Sequence, residues 1–125
     1  MNTIYLKELS DKIIGSTIEV HKTLGNGFLE KVYENALIYE LSNNGIKVES
    51  QVPVPVRYKG NTVGDYFCDV LVEEKIILEL KVAKNIDPIH EAQLLHYLKA
   101  TELKVGYIIN FGNSGKLQFK RLVNW

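Results

Sequence analysis

Asp65-Tyr66-Phe67-Cys68-Asp69-Val70-Leu71-Val72, then Glu73-Glu74-Lys75, then Ile76-Ile77-Leu78-Glu79-Leu80-Lys81-Val82 reads as two strands joined by a turn. Strand side chains alternate between faces, so Glu79 and Lys81 point the same way out of an otherwise apolar strand. With Glu73-Glu74-Lys75 as the turn, Val72 pairs with Ile76 and Asp69 falls directly across from Glu79. Like charges directly opposite on a sheet destabilise it. A cation between the two carboxylates removes that conflict. The apolar run around Glu79 makes its strand buried and central, a place where charges are rare without a reason.

Before the hairpin, the periodicity is helical and then extended. Ser10 is expected to cap a first helix, with Leu9 and Ile14 as a staple and Ile13, Val20 and Leu24 on one face. Gly25-Asn26-Gly27 stops it. A second helix is expected over about Leu29–Asn43, ended by Asn44-Gly45. Ile46, Val48, Val52, Val54, Val56 and Tyr58 then share one face of a strand. Pro53 and Pro55 remove donors along one side of it, which marks an edge. Lys59-Gly60-Asn61 turns into the hairpin.

After the hairpin, Asp87-Pro88 starts a third helix running to about Thr101. Val105–Phe111 reads as a buried strand, Gly112-Asn113-Ser114-Gly115 as a turn, and Leu117–Val123 as a half-exposed strand. The order is ααβββαββ. A helix between the third and fourth strands permits a parallel crossover, so the expectation is an α/β fold with a mixed five-stranded sheet flanked by helices.

At 125 residues the chain is expected to form a single domain over 1–125. Fifteen basic and fifteen acidic residues cancel, so any nucleic-acid contact must come from a local patch. Lys84, Lys99, Lys104, Lys116, Lys120 and Arg121 are the candidates for one, set against a solvated scatter. The single cysteine, Cys68, excludes an internal disulfide and a cysteine-rich zinc site, and fits a reducing, cytoplasmic setting. It reads as a small core residue. No apolar run approaches about 18 residues, so no membrane span is expected, and the N-terminus lacks a leader pattern.

Asp69 and Glu79 are hard oxygen donors of the kind that hold magnesium or manganese while leaving sites for water and phosphate. Lys81 could hold a phosphate or orient water; the alternative is a plain Glu79–Lys81 surface ion pair. Glu30 heads the stripe Tyr33, Leu37, Leu41. It is either a charge complementing the helix N-terminus or a third acidic ligand, the latter if its helix packs beside the hairpin. Gln93 and Tyr97, four apart, either touch a phosphate or brace the lysine, or else form the polar border of a core helix. His21, His90 and His96 lack zinc spacing, and His21 reads as a solvated or dipole-complementing residue near a helix end.

Gly27-x-x-Glu30-x-x-Tyr33 resembles the signature of the small bacterial and archaeal GxxExxY proteins, assigned to the PD-(D/E)xK nuclease superfamily. The similarity runs from about Ile13 to Val123. It includes Val20-His21-Lys22-Thr23-Leu24-Gly25, the run from Pro88 to Thr101, Leu103-Lys104-Val105-Gly106 and Asn110-Phe111-Gly112. The resemblance implies a restriction-endonuclease-like core. It also implies a magnesium site from Glu30, Asp69 and Glu79, with Lys81 assisting water attack on a phosphodiester. Gln93 and Tyr97 resemble the Gln-x-x-x-Tyr motif of exonuclease-type and resolvase-like members. Cys68 stands where the superfamily name has proline. The function implied is a magnesium-dependent nuclease, manganese substituting, acting on DNA ahead of RNA, alone or with a homodimeric or other protein partner. The rival is a non-catalytic module binding nucleic acid or protein; a third reading is a hydrolase of a small phosphate compound.

Overall fold

The hairpin forms in the expected register. Val72, Leu71 and Val70 lie opposite Ile76, Ile77 and Leu78 in an antiparallel ladder. These residues belong to β2 (Asn61–Val72) and β3 (Ile76–Lys81). Glu73 and Glu74 make the turn in the left-handed region, at φ 51° and 56°. The computed structural model describes residues 6–125; the N-terminal end on which the leader expectation rests lies partly outside them.

The other elements are α1 (Lys7–Leu24), α2 (Glu30–Asn43), β1 (Val48–Tyr58), α3 (Pro88–Thr101), β4 (Val105–Asn110) and β5 (Gln118–Val123). The sheet order is β1-β2-β3-β4-β5. β3 is therefore central, and β1, with Pro53 and Pro55, is an edge. β3 and β4 are parallel, joined across α3, and the other pairs are antiparallel. The α/β fold with a mixed five-stranded sheet stands as expected.

Two cores lie on the two faces of the sheet. Ile13 and Val20 of α1 and Tyr33, Leu37 and Leu41 of α2 pack on Ile76, Leu78 and Leu80 of β3. Leu94, Tyr97 and Leu98 of α3 pack on Ile77 and Ile108 from the other side. Gly106 of β4 allows α3 this close: a Cβ there would come within 2.8 Å of the Leu94 side chain. Asp87 caps α3 by accepting from the Ile89 amide at 2.9 Å, and His90 Nδ1 accepts from the Asp87 amide at 3.2 Å. His90 is thus a capping residue.

Three expectations need correction. Ser10 does not cap α1. The helix begins earlier, behind Leu6 at φ 55°, and Lys7–Asp11 and Glu8–Lys12 ion pairs support its first turns. Ser10 is buried inside the helix and accepts from Arg121 at 3.3 Å. The apolar residues of β1 do not share one face. Ile46 and Val48 join the α1/α2 core, whereas Val52 and Val54 join the α3 core, and Tyr58 is exposed. Between them Gln51 sits at φ 51°, and this left-handed residue rotates the strand. His21 is not solvated at its ring tip: Nε2 is buried without a hydrogen-bond partner among the described residues, beside Phe111.

Candidate active site

The β2–β3 ladder ends at Val70–Leu78, one residue short of Asp69 and Glu79. From there side chains take over from backbone. Glu79 Oε2 accepts from the Asp69 amide at 2.9 Å, and Asp69 Oδ2 accepts from the Leu80 amide at 2.8 Å. Each acid is tied to the other's strand through one oxygen. Among the described residues neither Glu79 Oε1 nor Asp69 Oδ1 takes a backbone donor; the latter receives a long contact from Gln51 Nε2 at 3.4 Å. Glu79 is only 5% exposed.

The electrostatics carry the repulsion expected from the sequence. Burial, then the Asp69 charge, push Glu79 up to about 8, with Glu30 adding to the effect. Burial raises Asp69 as well, against the Leu80 amide, which lowers it. Glu30 is raised by burial and then by Asp69. That is the opposite of what a helix N-terminus alone does to a carboxylate. Helix α2 packs against β1, β2 and β3, so the condition for Glu30 to join the acids is met.

Lys81 favours the charged form of all three acids. Yet among the described residues it forms no ion pair with any of them. The plain Glu79–Lys81 pair is absent. Lys81 is fixed from behind: its carbonyl accepts from the Phe111 amide at 2.9 Å. Asn110, fully buried beside it, accepts from the Ala83 and Gly112 amides at 2.9 and 3.0 Å and donates to the Ala83 carbonyl at 2.9 Å. Gly112 packs directly on the Val82–Ala83 backbone, where a Cβ has no room.

The glycine-broken start of α2 is held by Tyr33. Its hydroxyl donates to the Gly25 carbonyl at 2.5 Å and accepts from the Phe28 amide at 3.3 Å. Its ring stacks on Phe111 at 4.4 Å. One side chain thus ties the loop leading into Glu30 to the segment following β4.

Gln93 and Tyr97 form no hydrogen bond with the carboxylates; they line a groove between α3 and the β1–β2 ribbon. Tyr97 packs with Cys68, the neighbour of Asp69, and with Ile77 of β3, and burial and then the Glu79 charge push its hydroxyl up to about 12. Cys68 is a buried thiol, likewise pushed up to about 12, chiefly by burial.

Two residues at the site went unread in the sequence. Glu34, only 3% exposed, accepts from Gln51 at 3.0 Å and from Lys31 at 2.7 Å. Its signal was present: it lies four residues after Glu30, three before Leu37 and seven before Leu41. Gln51 carried no signal, because its role depends on a left-handed backbone.

Among the described residues no three acidic, histidine or cysteine side chains converge as a ready-made metal cage. The donor set fits a more open site. Two carboxylates with one oxygen each turned from the backbone, a third acid beyond them, and mutual repulsion suit a hard divalent ion that keeps water and phosphate ligands.

A mixed sheet with helices on both faces, and acids where β2 leaves β3, is the architecture of the restriction-endonuclease-like class. The chain belongs to the PD-(D/E)XK nuclease superfamily, whose family model matches residues 7–122. Nucleases of this superfamily generally use divalent metals. No curated protein matches the chain. The crystal structure of SSO0001 is similar in fold, with a TM-score of 0.54 and 16% identity over 75% of this chain. The chain covers 49% of that structure's length. No helix among the described residues is long and apolar enough to cross a membrane.

Proposed function

We propose that the chain is a magnesium-dependent nuclease hydrolysing phosphodiester bonds, with DNA as its substrate, and that it acts as a single domain over 1–125. The supporting observation is the Asp69–Glu79 pair at the fork, repelling each other beside a lysine that pairs with neither. Asp69 and Glu79 hold the metal and Glu30 completes or supports the site. A divalent ion bound there supplies positive charge to the scissile phosphate and lowers the pKa of water. Lys81 positions the attacking water or stabilises charge growing on the phosphate. Gln93 and Tyr97, from the groove they line, brace the site or contact the nucleic-acid backbone. The motif Gly27-x-x-Glu30-x-x-Tyr33 supports placement among the GxxExxY proteins, since Tyr33 is what holds Glu30's loop in place. The lone buried thiol suits the reducing cytoplasm.

Purified protein with magnesium or manganese is expected to cut DNA, and Glu79→Ala or Lys81→Ala to abolish cutting. Equal trace activity in wild type and both variants would refute the reading. A second reading, a module that binds nucleic acid or protein without cutting, is favoured by exposed Phe28, Leu29 and Val32 beside Glu30. Those apolar residues are also where a second copy or another protein would dock. This reading predicts affinity without turnover.

A further inference from the structure

Beyond Cys68 the β1–β2 ribbon has no third strand beside it among the described residues, and α3 covers one of its faces. Between ribbon and helix runs a groove of about 640 Å³, within the usual size range of small-molecule sites. Its floor is Val54 and Val56. Tyr66 rises from the ribbon, half exposed, with its ring 5.8 Å from that of Tyr97. Arg57, His96 and Lys99 stand on its walls, and none of its lining residues is acidic. The chain as a whole is neutral, and two other grooves among the described residues each carry glutamates. Of the six basic residues picked out from the sequence, Lys99 lines this groove, Lys120 is paired with Glu91, and Arg121 bonds to Ser10 and Tyr107.

From this juxtaposition we infer that the groove binds an unpaired nucleotide of a single strand, with its base against Tyr66 and its phosphates on Arg57 and Lys99. The inference rests on the nuclease reading for its orientation, because Tyr97 lines the groove and packs with Cys68, the neighbour of Asp69. It follows that the protein takes single strands, frayed ends or flaps in preference to intact duplex. A paired base has its faces covered by its stacked neighbours and cannot lay its ring against Tyr66. An aromatic face offers stacking worth about 1–3 kcal/mol per base, whatever the sequence, and the cations offer salt-dependent phosphate contacts.

The test is anisotropy titration of a labelled single-stranded oligonucleotide and of the same sequence as blunt duplex, in EDTA so that cutting is silent. Single strand is expected to bind more tightly. Tyr66→Ala is expected to weaken single-strand binding about tenfold, a loss of about 1.4 kcal/mol. Lys99→Gln is expected to weaken it and to reduce the salt slope by about 0.7. Tyr39→Ala, exposed on α2, should change nothing. Competition between DNA and RNA strands of one sequence identifies the preferred sugar. Equal affinity for single strand and duplex, or full affinity in a folded Tyr66→Ala protein, overturns the inference. The nuclease reading fails separately: Tyr66-dependent binding without metal-dependent cutting keeps the groove and removes the enzyme, whereas cutting whose KM ignores Tyr66 does the reverse.

Discussion

In the proposed site Asp69 and Glu79 have two duties, one to the backbone and one to the metal. Each carboxylate stands in for a missing rung of the β2–β3 ladder, and each turns its remaining oxygen away from the backbone. Substitutions should separate the two. Glu79→Gln keeps an acceptor for the Asp69 amide but removes the charge. We expect it to lose about a hundredfold or more in cutting rate, while melting at or above the wild-type temperature in EDTA at pH 8. Asp69→Ala instead leaves the Leu80 amide without its acceptor, at a cost of about 2 kcal/mol in urea unfolding. If Glu79→Gln lowered the melting temperature as much as Asp69→Ala, the charge repulsion assigned to the pair would be wrong. Opposition of the two acids was legible from alternation and turn length. Their use as backbone acceptors was not, since it depends on where the ladder stops.

At the scale of elements, the acids and the lysine are placed by two clasps. Tyr33 joins the start of α2 to the segment after β4 through its hydroxyl and its stack on Phe111. Asn110 locks the end of β3 to the chain entering the final turn. Tyr33→Phe keeps the stack and loses the hydroxyl bonds. It should cost about 1 kcal/mol and reduce cutting by disordering Glu30, with metal affinity falling more than overall stability. Asn110→Ala leaves two amides and a carbonyl without partners and should cost about 3 kcal/mol in chemical denaturation. A loss under 0.5 kcal/mol would remove Asn110 from this role. Tyr33 was readable as core from its spacing with Leu37 and Leu41. The polar job of its hydroxyl was not, because Gly25 and Phe28 meet it only after the loop has folded.

For the molecule as a whole, the raised acids predict how stability responds to pH and metal. Glu79 ionises at 4.5 when unfolded and at about 8 when folded. Between those values the native state holds a proton that the unfolded chain has released. That contribution is complete below pH 4.5 and is lost as pH rises through 8. Asp69 and Glu30, also raised, act in the same direction. The melting temperature in EDTA should therefore fall from about pH 5 to pH 9, and magnesium should reverse much of that fall at the alkaline end. Asp69→Asn should abolish the magnesium effect. A flat pH profile, or magnesium stabilisation unchanged in Asp69→Asn, would argue against a metal at the fork.

The sequence by itself determined the element order, the central strand, the edge prolines, the cap at Asp87 and the register that sets Asp69 against Glu79. These follow from period, turn residues and local capping, which act over a few residues. Only the tertiary structure decided that β1 changes face at Gln51, that α1 starts before Ser10, that Glu34 joins the acids and that Tyr66, Tyr97 and Lys99 border one groove. Each of those depends on contacts between residues distant along the chain or on a backbone torsion that residue type does not dictate. Long-range packing creates both, and a local pattern does not encode them.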